Sequence, residues 1–262
     1  MNTDLKRHLP VVQKLTRRSE LAFKETPREG LRTKERAISP NAVTGHSVNV
    51  PIATTCQPSK VCARSCYAAS NLLAATKALP RQARVQTEMD AAPVAFAQRV
   101  CAEYDKFGLT FLRWNGVGDL TLSAVEAINW IASNRPDVTL WVVTRIPEMA
   151  RLIEPAPRVF VHFSLDASSL DRKARFEGLK PRRNYFFSYQ CEKGKGVDRE
   201  AGASVVFAHR YKVPEGAGLG GDASCPLNGA SDCEGMCAKC RRCFNGEAVR
   251  MRLESESRGE TT

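Results

Sequence analysis

The stretch VTLWVVT at 138–144, followed by VFVHFS at 159–164, decides the fold class of this chain. Both runs are rich in β-branched and aromatic residues and have the length of buried strands. The segment between them contains Pro147, and proline is favoured in the first turn of a helix, where its missing N–H costs nothing. The stretch therefore predicts a strand, a helix and a second strand parallel to the first.

The same alternation extends outward along the chain. Further strands are predicted at 46–55, 109–115, 185–190 and 204–211. Further helices are predicted from residue 68 onward, at 93–106, after Ser123 with Glu126 completing a capping box, and at 168–177. Repeated strand–helix units require a parallel sheet, and six strands are too few for a closed eight-stranded barrel. We therefore predict an α/β fold, a partial (β/α)6-type barrel with parallel strands.

Eight of the ten cysteines fall into two groups. Cys56, Cys62 and Cys66 follow the first predicted strand with the spacing C-x5-C-x3-C. The second group has the spacing C-x7-C-x3-C-x2-C-x2-C and comprises Cys225, Cys233, Cys237, Cys240 and Cys243. So many soft thiolate ligands in short segments predict metal binding.

Iron–sulfur clusters are the favoured metal centres. Cys237, Cys240 and Cys243 repeat the spacing of a bacterial ferredoxin loop, with Cys225 before Pro226 as a more distant ligand. Zinc is the alternative metal, because C-x2-C is also the spacing of a zinc knuckle. Disulfides are the poorer account, since 262 residues can bury a core without them and no secretory signal opens the sequence. We expect one or two [4Fe–4S] clusters.

Positive charge dominates the chain, whose formal net charge is +11. Within a basic arm at 1–40, the first 36 residues hold ten Lys or Arg against five acids. A second basic cluster comprises Arg172, Lys173, Arg175, Lys180, Arg182 and Arg183. Such an arm can bind nucleic acid, because neutralising phosphates releases counterions. A solvated segment that only keeps the protein soluble is the alternative.

Four regions are predicted along the chain. They are the basic arm at 1–40, the α/β partial barrel at 41–215, a cysteine-rich metal-binding cap at 216–250 and a polar tail at 251–262. No apolar run approaches the roughly 18 residues that span a bilayer. We expect a cytoplasmic protein that has reduced thiols and does not associate with membranes. The sequence leaves the oligomeric state open.

Residues that follow the predicted strands are the candidate site residues, because active sites of parallel α/β folds lie at the carboxyl ends of the strands. Gly116, Gly118 and Asp119 follow the second predicted strand, where two glycines let the backbone approach a ligand closely. Ser164 and Asp166 end the fourth. These five residues are the candidate cofactor-binding residues.

Side-chain alternation supplies the candidate catalytic residues. If Leu112, Trp114, Val161 and Phe163 face the helices, the opposite face of the sheet is polar. The residues expected on that opposite face are Arg113, Asn115, His162, Ser164, Ser188, Gln190 and His209. Arg113, His162 and His209 are the catalytic candidates among them, and hydrogen-bonded core polar residues are the alternative interpretation.

These features resemble the radical SAM superfamily, on the basis of the cysteine loop, the turn from Gly116 to Asp119 and the strand from Val161 to Asp166. The resemblance implies a [4Fe–4S] cluster held by the first three cysteines. One iron would be open to the amino and carboxylate groups of S-adenosylmethionine, with Asp119 as the partner of the ammonium. The tail cysteines resemble auxiliary-cluster extensions. The usual spacing of the superfamily, C-x3-C-x2-C, occurs instead at Cys233 to Cys240.

The chain is also similar to a family of small uncharacterised phage and plasmid proteins. The shared elements are a cysteine segment ending in Cys-Tyr-Ala, here Cys62 to Ala68, and R-W-x-x-x-G-D-L, here Arg113 to Leu120.

Two functions of different class are predicted. The first is a radical SAM-like iron–sulfur enzyme that performs one-electron chemistry on a nucleic acid or nucleotide. An electron donor would supply the electrons. The second is a non-catalytic nucleic-acid-binding protein whose zinc or iron–sulfur sites only stabilise the fold. Whether the chain is an enzyme is left open between them.

Overall fold

The computed structural model describes residues 17, 34–40, 45–64, 66, 68, 78–178, 184–191 and 205–208. Most of the predicted arm, the predicted cap and the polar tail lie outside the described residues. So do six candidate site residues, namely His209, Cys225, Cys233, Cys237, Cys240 and Cys243.

The described elements alternate between strands and helices. The strands are β1 (Ile38–Ser39), β2 (Ser47–Val48), β3 (Leu112–Trp114), β4 (Leu140–Thr144), β5 (Val159–Leu165), β6 (Tyr185–Cys191) and β7 (Val205–Ala208). The helices are α1 (Ile52–Thr55), α2 (Lys60–Arg64), α3 (Ala78–Ala91), α4 (Pro93–Lys106), α5 (Leu122–Asn134), α6 (Pro147–Arg151) and α7 (Asp171–Glu177). None of the described helices is long and apolar enough to cross a membrane.

Strands β2 to β7 are parallel and lie in the sheet in the order of the sequence. Strand β1 pairs antiparallel with β2 at one edge. Among the described strands, β7 pairs with β6 alone, so the sheet is open. The predicted α/β class with parallel strands is confirmed.

The hydrophobic core lies between the helices and one face of the sheet. Leu112, Trp114, Val161 and Phe163 belong to one buried cluster with side chains from α3, α4, α5 and α7. Phe163 stacks on Phe176 of α7 with ring centroids 4.4 Å apart. Fully burying one such side chain contributes about 1.5–3 kcal/mol, so this face stabilises the fold. The alternation predicted for these four sheet residues is confirmed.

The first predicted strand, 46–55, is too long. Only Ser47–Val48 pairs in the sheet, and Ile52–Thr55 forms the short helix α1. The backbone N–H and the hydroxyl of Thr55 both donate to the carbonyl of Pro51, at 3.2 and 2.8 Å. These local bonds turn the chain although the β-branched residues fit a strand pattern. The turn brings Cys56 back toward the sheet.

The predicted capping box of the helix after Ser123 is wrong. Helix α5 begins earlier, and Thr121 is its N-cap, accepting a bond from the backbone N–H of Ala124 at 3.2 Å. Ser123 lies inside the helix and donates to Asp90. Both residues are of the type that caps helices, and the earlier one does so. Helix α4 matches its predicted bounds, and Pro147 lies in the first turn of α6 as predicted.

Candidate functional site

The cysteine loop, defined as residues 56–66, lies at the carboxyl edge of the parallel sheet. Cys56 follows α1, Cys62 lies in α2, and Cys66 comes two residues after that helix. All three cysteines are half-buried and none forms a disulfide. Cys56 interacts electrostatically with both other thiols and with Asp119, so all four side chains lie in the same region of the carboxyl edge.

Hydrogen bonds fasten the cysteine loop to the end of β5. The hydroxyl of Ser59 donates to a carboxylate oxygen of Asp166 and accepts from the backbone N–H of Cys62, at 3.1 Å. The backbone N–H of Val61 donates to the hydroxyl of Ser168 at 3.0 Å. The backbone between Cys56 and Cys62 is therefore positioned by groups other than the thiols.

Asp166 is fully buried and carries four hydrogen bonds. It accepts from Ser59, from a guanidinium nitrogen of Arg145 at 2.7 Å, and from the backbone and hydroxyl of Ser168 at 2.9 and 2.8 Å. A carboxylate has about four acceptor positions, so the protein itself fills those of Asp166. Burial alone would raise the pKa of this carboxyl, but Arg145 and the two serines hold it below its usual value. Asp166 is therefore hydrogen-bonded both to the cysteine loop and to Arg145.

Arg145 is the central residue of this edge, and the sequence analysis missed it. It is buried, and its guanidinium donates to Asp166 at 2.7 Å and to the amide oxygen of Gln190 at 2.9 Å. Its backbone N–H donates to Asp119 at 3.1 Å. Arg145 follows β4 directly, which is the positional signal that selected Asp119 and Asp166 from the sequence. The same rule applied to every strand would have found it.

Asp119 ties the ends of β3 and β4 together. Its Oδ1 accepts from the backbone N–H of Leu120 at 2.8 Å and the hydroxyl of Thr144 at 2.6 Å, and its Oδ2 accepts from Arg145. Burial raises the pKa of this carboxyl to about 6, against the opposing effect of these hydrogen bonds. The described residues use three of the roughly four acceptor positions of the carboxylate.

Gly116 and Gly118 lie against the chain around β2. A Cβ on Gly118, whose φ is +86°, would come within 2.4 Å of a methyl of Val50. A Cβ on Gly116 would come within 2.5 Å of the side-chain oxygen of Asn49. The close approach that these glycines permit is therefore made by the chain itself at 47–50.

Two of the three thiols have raised pKa values. Burial raises the pKa of Cys56 well above its usual value, and Asp119 and the other two thiols raise it further. Burial also raises the pKa of Cys62, although Arg145 and Arg172 act against it. Reactive thiols have lowered pKa values, whereas a bound metal deprotonates its thiol ligands outright. The donor chemistry fits a metal centre, yet across the described part of the chain no three His, Cys, Asp or Glu side chains are grouped closely enough to hold a metal ion.

Arg113 and His162 lie deeper on the sheet, on the face opposite the helices. The guanidinium of Arg113 lies 4.8 Å from the ring centroid of Trp141, and that ring is 6.0 Å from the ring of His162. His162 is fully buried and contacts Phe186 edge-on at 4.8 Å. It precedes Asp166 by four residues, or about 13 Å of strand. The two catalytic candidates share a face, as predicted, but stand away from the thiols.

Ser164 and Ser188 lie between His162 and the carboxyl edge. They are partners across β5 and β6, and Ser188 is fully buried while Ser164 is half-buried. Gln190, two residues after Ser188, reaches Arg145 at the edge itself. The face therefore becomes more polar toward the cysteine loop.

The comparisons with known proteins identify a family. A family model described as Gene product 88 matches residues 13–246, a span that contains both cysteine groups. No curated protein and no solved structure matches the chain. The matching family is of phage type, which confirms the predicted similarity to phage proteins. With most of its length inside the match, the chain belongs to the Gene product 88 family.

Proposed function

We propose that the chain is an iron–sulfur protein of radical SAM-like type, in which Cys56, Cys62 and Cys66 bind a [4Fe–4S] cluster. One observation carries the proposal: Cys56 lies within electrostatic reach of Asp119 and of the other two thiols at the carboxyl edge of a parallel sheet. That edge is where ligands of parallel α/β folds bind. Binding requires the half-buried thiols to close on the metal.

The chain would supply positioning and charge at this site. A bound cluster supplies single electrons, and the protein tunes them through burial and hydrogen bonds. Arg145 and Arg172 act electrostatically on Cys62 and would offset the negative charge of thiolate ligands. Asp119 has one acceptor position beyond those used by the described residues, which suits an ammonium group.

The finer fold proposal is a partial barrel capped by the cysteine-rich region. The sequential strand order supports it, as does the packing of the described helices α3, α4, α5 and α7 on one face, because an open doubly wound sheet reverses its strand order and is covered on both faces. In a partial barrel, the face carrying Arg113 and His162 would be the interior and would receive the substrate.

A nucleic acid or nucleotide is the proposed substrate, and an external donor would supply electrons. The support is the net charge of +11 together with the basic arm at 1–40. The arm would contact the phosphates of the nucleic acid or nucleotide, and the site at the carboxyl edge would act on that same molecule.

A non-catalytic nucleic-acid-binding protein with structural zinc or iron–sulfur sites is the second candidate. The observation that favours it is the bonding of the two carboxylates at the edge. Asp166 has its acceptor positions filled by the protein, and Asp119 has three of them filled. Carboxylates used in this way hold a fold together, and a structural metal would serve the same purpose.

Metal analysis of anaerobically purified protein tests the proposal. The wild type should contain iron and sulfide, and a variant with Cys56, Cys62 and Cys66 all changed to Ser should hold about four fewer irons per chain. Cys101→Ser is the matched control, because Cys101 is a buried residue of α4 that packs in the hydrophobic core. This substitution should leave the iron content unchanged. Equal iron in the wild type and the triple variant, or stoichiometric zinc, would overturn the cluster proposal.

S-adenosylmethionine separates the two candidate functions. With an open iron, it should alter the paramagnetic resonance spectrum of the reduced protein, and Asp119→Asn should weaken that effect by removing the charge opposite the ammonium. An unaltered spectrum without formation of deoxyadenosine would favour the non-catalytic candidate.

A further inference from the structure

A buried ion pair joins the cysteine loop to the sheet. Nη1 of Arg145 lies 2.7 Å from Oδ2 of Asp166, and the two side chains are 10% and 0% exposed. Removing charges from water is costly, so a buried pair is weak evidence for stability by itself. The parallel pairing of β4 with β5 is made by backbone bonds and does not need it.

Both members of the pair also form hydrogen bonds with neighbouring elements. Asp166 accepts from Ser59 in the cysteine loop, while Arg145 donates to Gln190 of β6. The pair therefore connects β4, β5 and β6 to the segment between Cys56 and Cys62. The pair thus lies between these strands and the cysteine loop.

A second arginine reinforces the attachment. Nη1 of Arg172, in α7, donates to the backbone carbonyl of Gln57 at 3.0 Å and lies 3.4 Å from the backbone carbonyl of Arg145. Together with Ser59 and Val61, Gln57 makes three anchored residues among the five that separate Cys56 from Cys62. None of these anchoring hydrogen bonds uses a thiol.

We infer that Arg145 and Asp166 are positioning residues, which hold the cysteine loop at the carboxyl edge before any metal is present. The inference deepens the proposed function and rests on it only for the identity of the group that the loop receives. A loop held in advance loses less conformational freedom when it closes on a ligand. Arg145 also supplies a fixed positive charge at the place where thiolates would form.

Hydrogen exchange of the metal-free full chain tests this role directly. Iron is removed with a chelator, and exchange is followed in the peptide that covers residues 56–64 and in the peptide that covers β5. The variants are Arg145→Gln and Ser59→Ala. We expect exchange in the loop peptide to rise by about tenfold or more in Ser59→Ala, which removes both hydrogen bonds of one hydroxyl, while the β5 peptide keeps its protection. The rise should be larger in Arg145→Gln, which also destabilises the whole fold.

Two controls make the result specific. Arg135→Gln removes an arginine that bonds two carboxylates at the opposite edge of the sheet, and it should leave the loop peptide unchanged. Arg145→Lys keeps the charge and should recover part of the protection. Ser59→Ala removes only one hydroxyl, so it remains informative if Arg145→Gln does not fold.

Unchanged exchange of the loop peptide in Ser59→Ala would overturn the inference, as would an equal rise in every peptide of that variant. Because the measurement uses metal-free protein, a failure to bind iron would count against the proposed function and not against this role.

Discussion

The two edges of the sheet carry similar charged groups in opposite environments. At the carboxyl edge, Arg145 bonds Asp166 with both side chains buried. At the amino edge, Arg135 bonds Asp105 at 2.8 Å and Asp137 at 2.7 Å, but those carboxylates are 57% and 60% exposed. Water and salt compete with the exposed pairs and reach the buried pair far less. Equal distances therefore do not mean equal roles.

The two edges also differ in shape and in the side chains that they present. A cavity of about 480 Å³ lies at the amino edge, lined by Tyr104, Asp105, Gly108, Leu109, Thr110, Asp137 and Arg158. It contains no cysteine and its carboxylates are solvated. The carboxyl edge combines burial, fixed charge and soft donors, which is the combination that binding chemistry requires.

The largest difference between the edges should appear when each arginine is removed. Arg145→Gln leaves Asp166 buried without its cation and should lower the free energy of unfolding by about 3–5 kcal/mol. Arg135→Gln is the matched change at the amino edge and should have little effect, because solvent replaces the lost bonds. Urea unfolding of the metal-free proteins measures both. Similar losses in the two variants would contradict the contrast.

The pH dependence of stability should reveal the buried carboxyl of Asp119. Its pKa rises from 3.8 to about 6 on folding, so the folded state holds the proton more tightly. The stabilising contribution is complete below pH 3.8 and is lost as the pH rises through 6. Over that window the metal-free wild type should lose up to about 3 kcal/mol of unfolding free energy through this group.

Asp119→Asn is the variant that isolates the pH effect, because an amide does not ionise. Its unfolding free energy should vary less between pH 4 and pH 6 than that of the wild type, by about the amount lost through the carboxyl. Chemical unfolding at several pH values gives both curves. Parallel curves would show that burial does not raise this pKa.

The two edges should also differ in their tolerance of a methyl group. Gly118 and Gly108 both have positive φ, +86° and +59°, but only a Cβ on Gly118 would collide with other atoms, those of Val50 and Thr55. Both changes to Ala cost backbone strain, and Gly118→Ala should cost about 1–3 kcal/mol more because of the collision. Thermal unfolding compares them. Equal losses of stability in the two variants would mean that the atoms around Gly118 move to accommodate the methyl group.

The smallest effect concerns the start of α5, near the carboxyl edge. Thr121→Ala removes the N-cap and should cost about 1 kcal/mol. Ser123→Ala is the comparison variant: Ser123 is inside the helix, its bond to Asp90 is exposed, and its hydroxyl also bonds the hydroxyl of Thr121 at 2.9 Å, so its loss should be smaller than that of the cap itself. A larger loss of unfolding free energy in Ser123→Ala than in Thr121→Ala would show that Ser123 is the N-cap, as predicted from the sequence.

Local pattern explains which parts of the fold could be predicted. The runs at 138–144 and 159–164 became strands because apolar β-branched residues suit a buried pleated sheet, and α4 was found because Pro93 marks its first turn. Strand β1 has only two residues and depends on pairing with β2, so it leaves no local signal. Helix α1 was missed because its bonds to Pro51 override a strand-like composition.

The site was predictable in position and less so in its chemistry. The rule that active sites lie at strand ends selected Asp119 and Asp166, and both reach the carboxyl edge. The four hydrogen bonds that fill the acceptor positions of Asp166 come from residues up to 107 positions away in the chain. No local sequence pattern reveals such partners. The position of His162, four residues before Asp166, could be read from the sequence itself.

The most direct test of the account is an anomalous-scattering measurement at the iron absorption edge on anaerobically grown crystals of the full chain. We expect an iron peak at the carboxyl edge, within bonding distance of the sulfur atoms of Cys56, Cys62 and Cys66. Iron found only elsewhere in the chain, or a peak at these thiols that appears at the zinc edge alone, would contradict it.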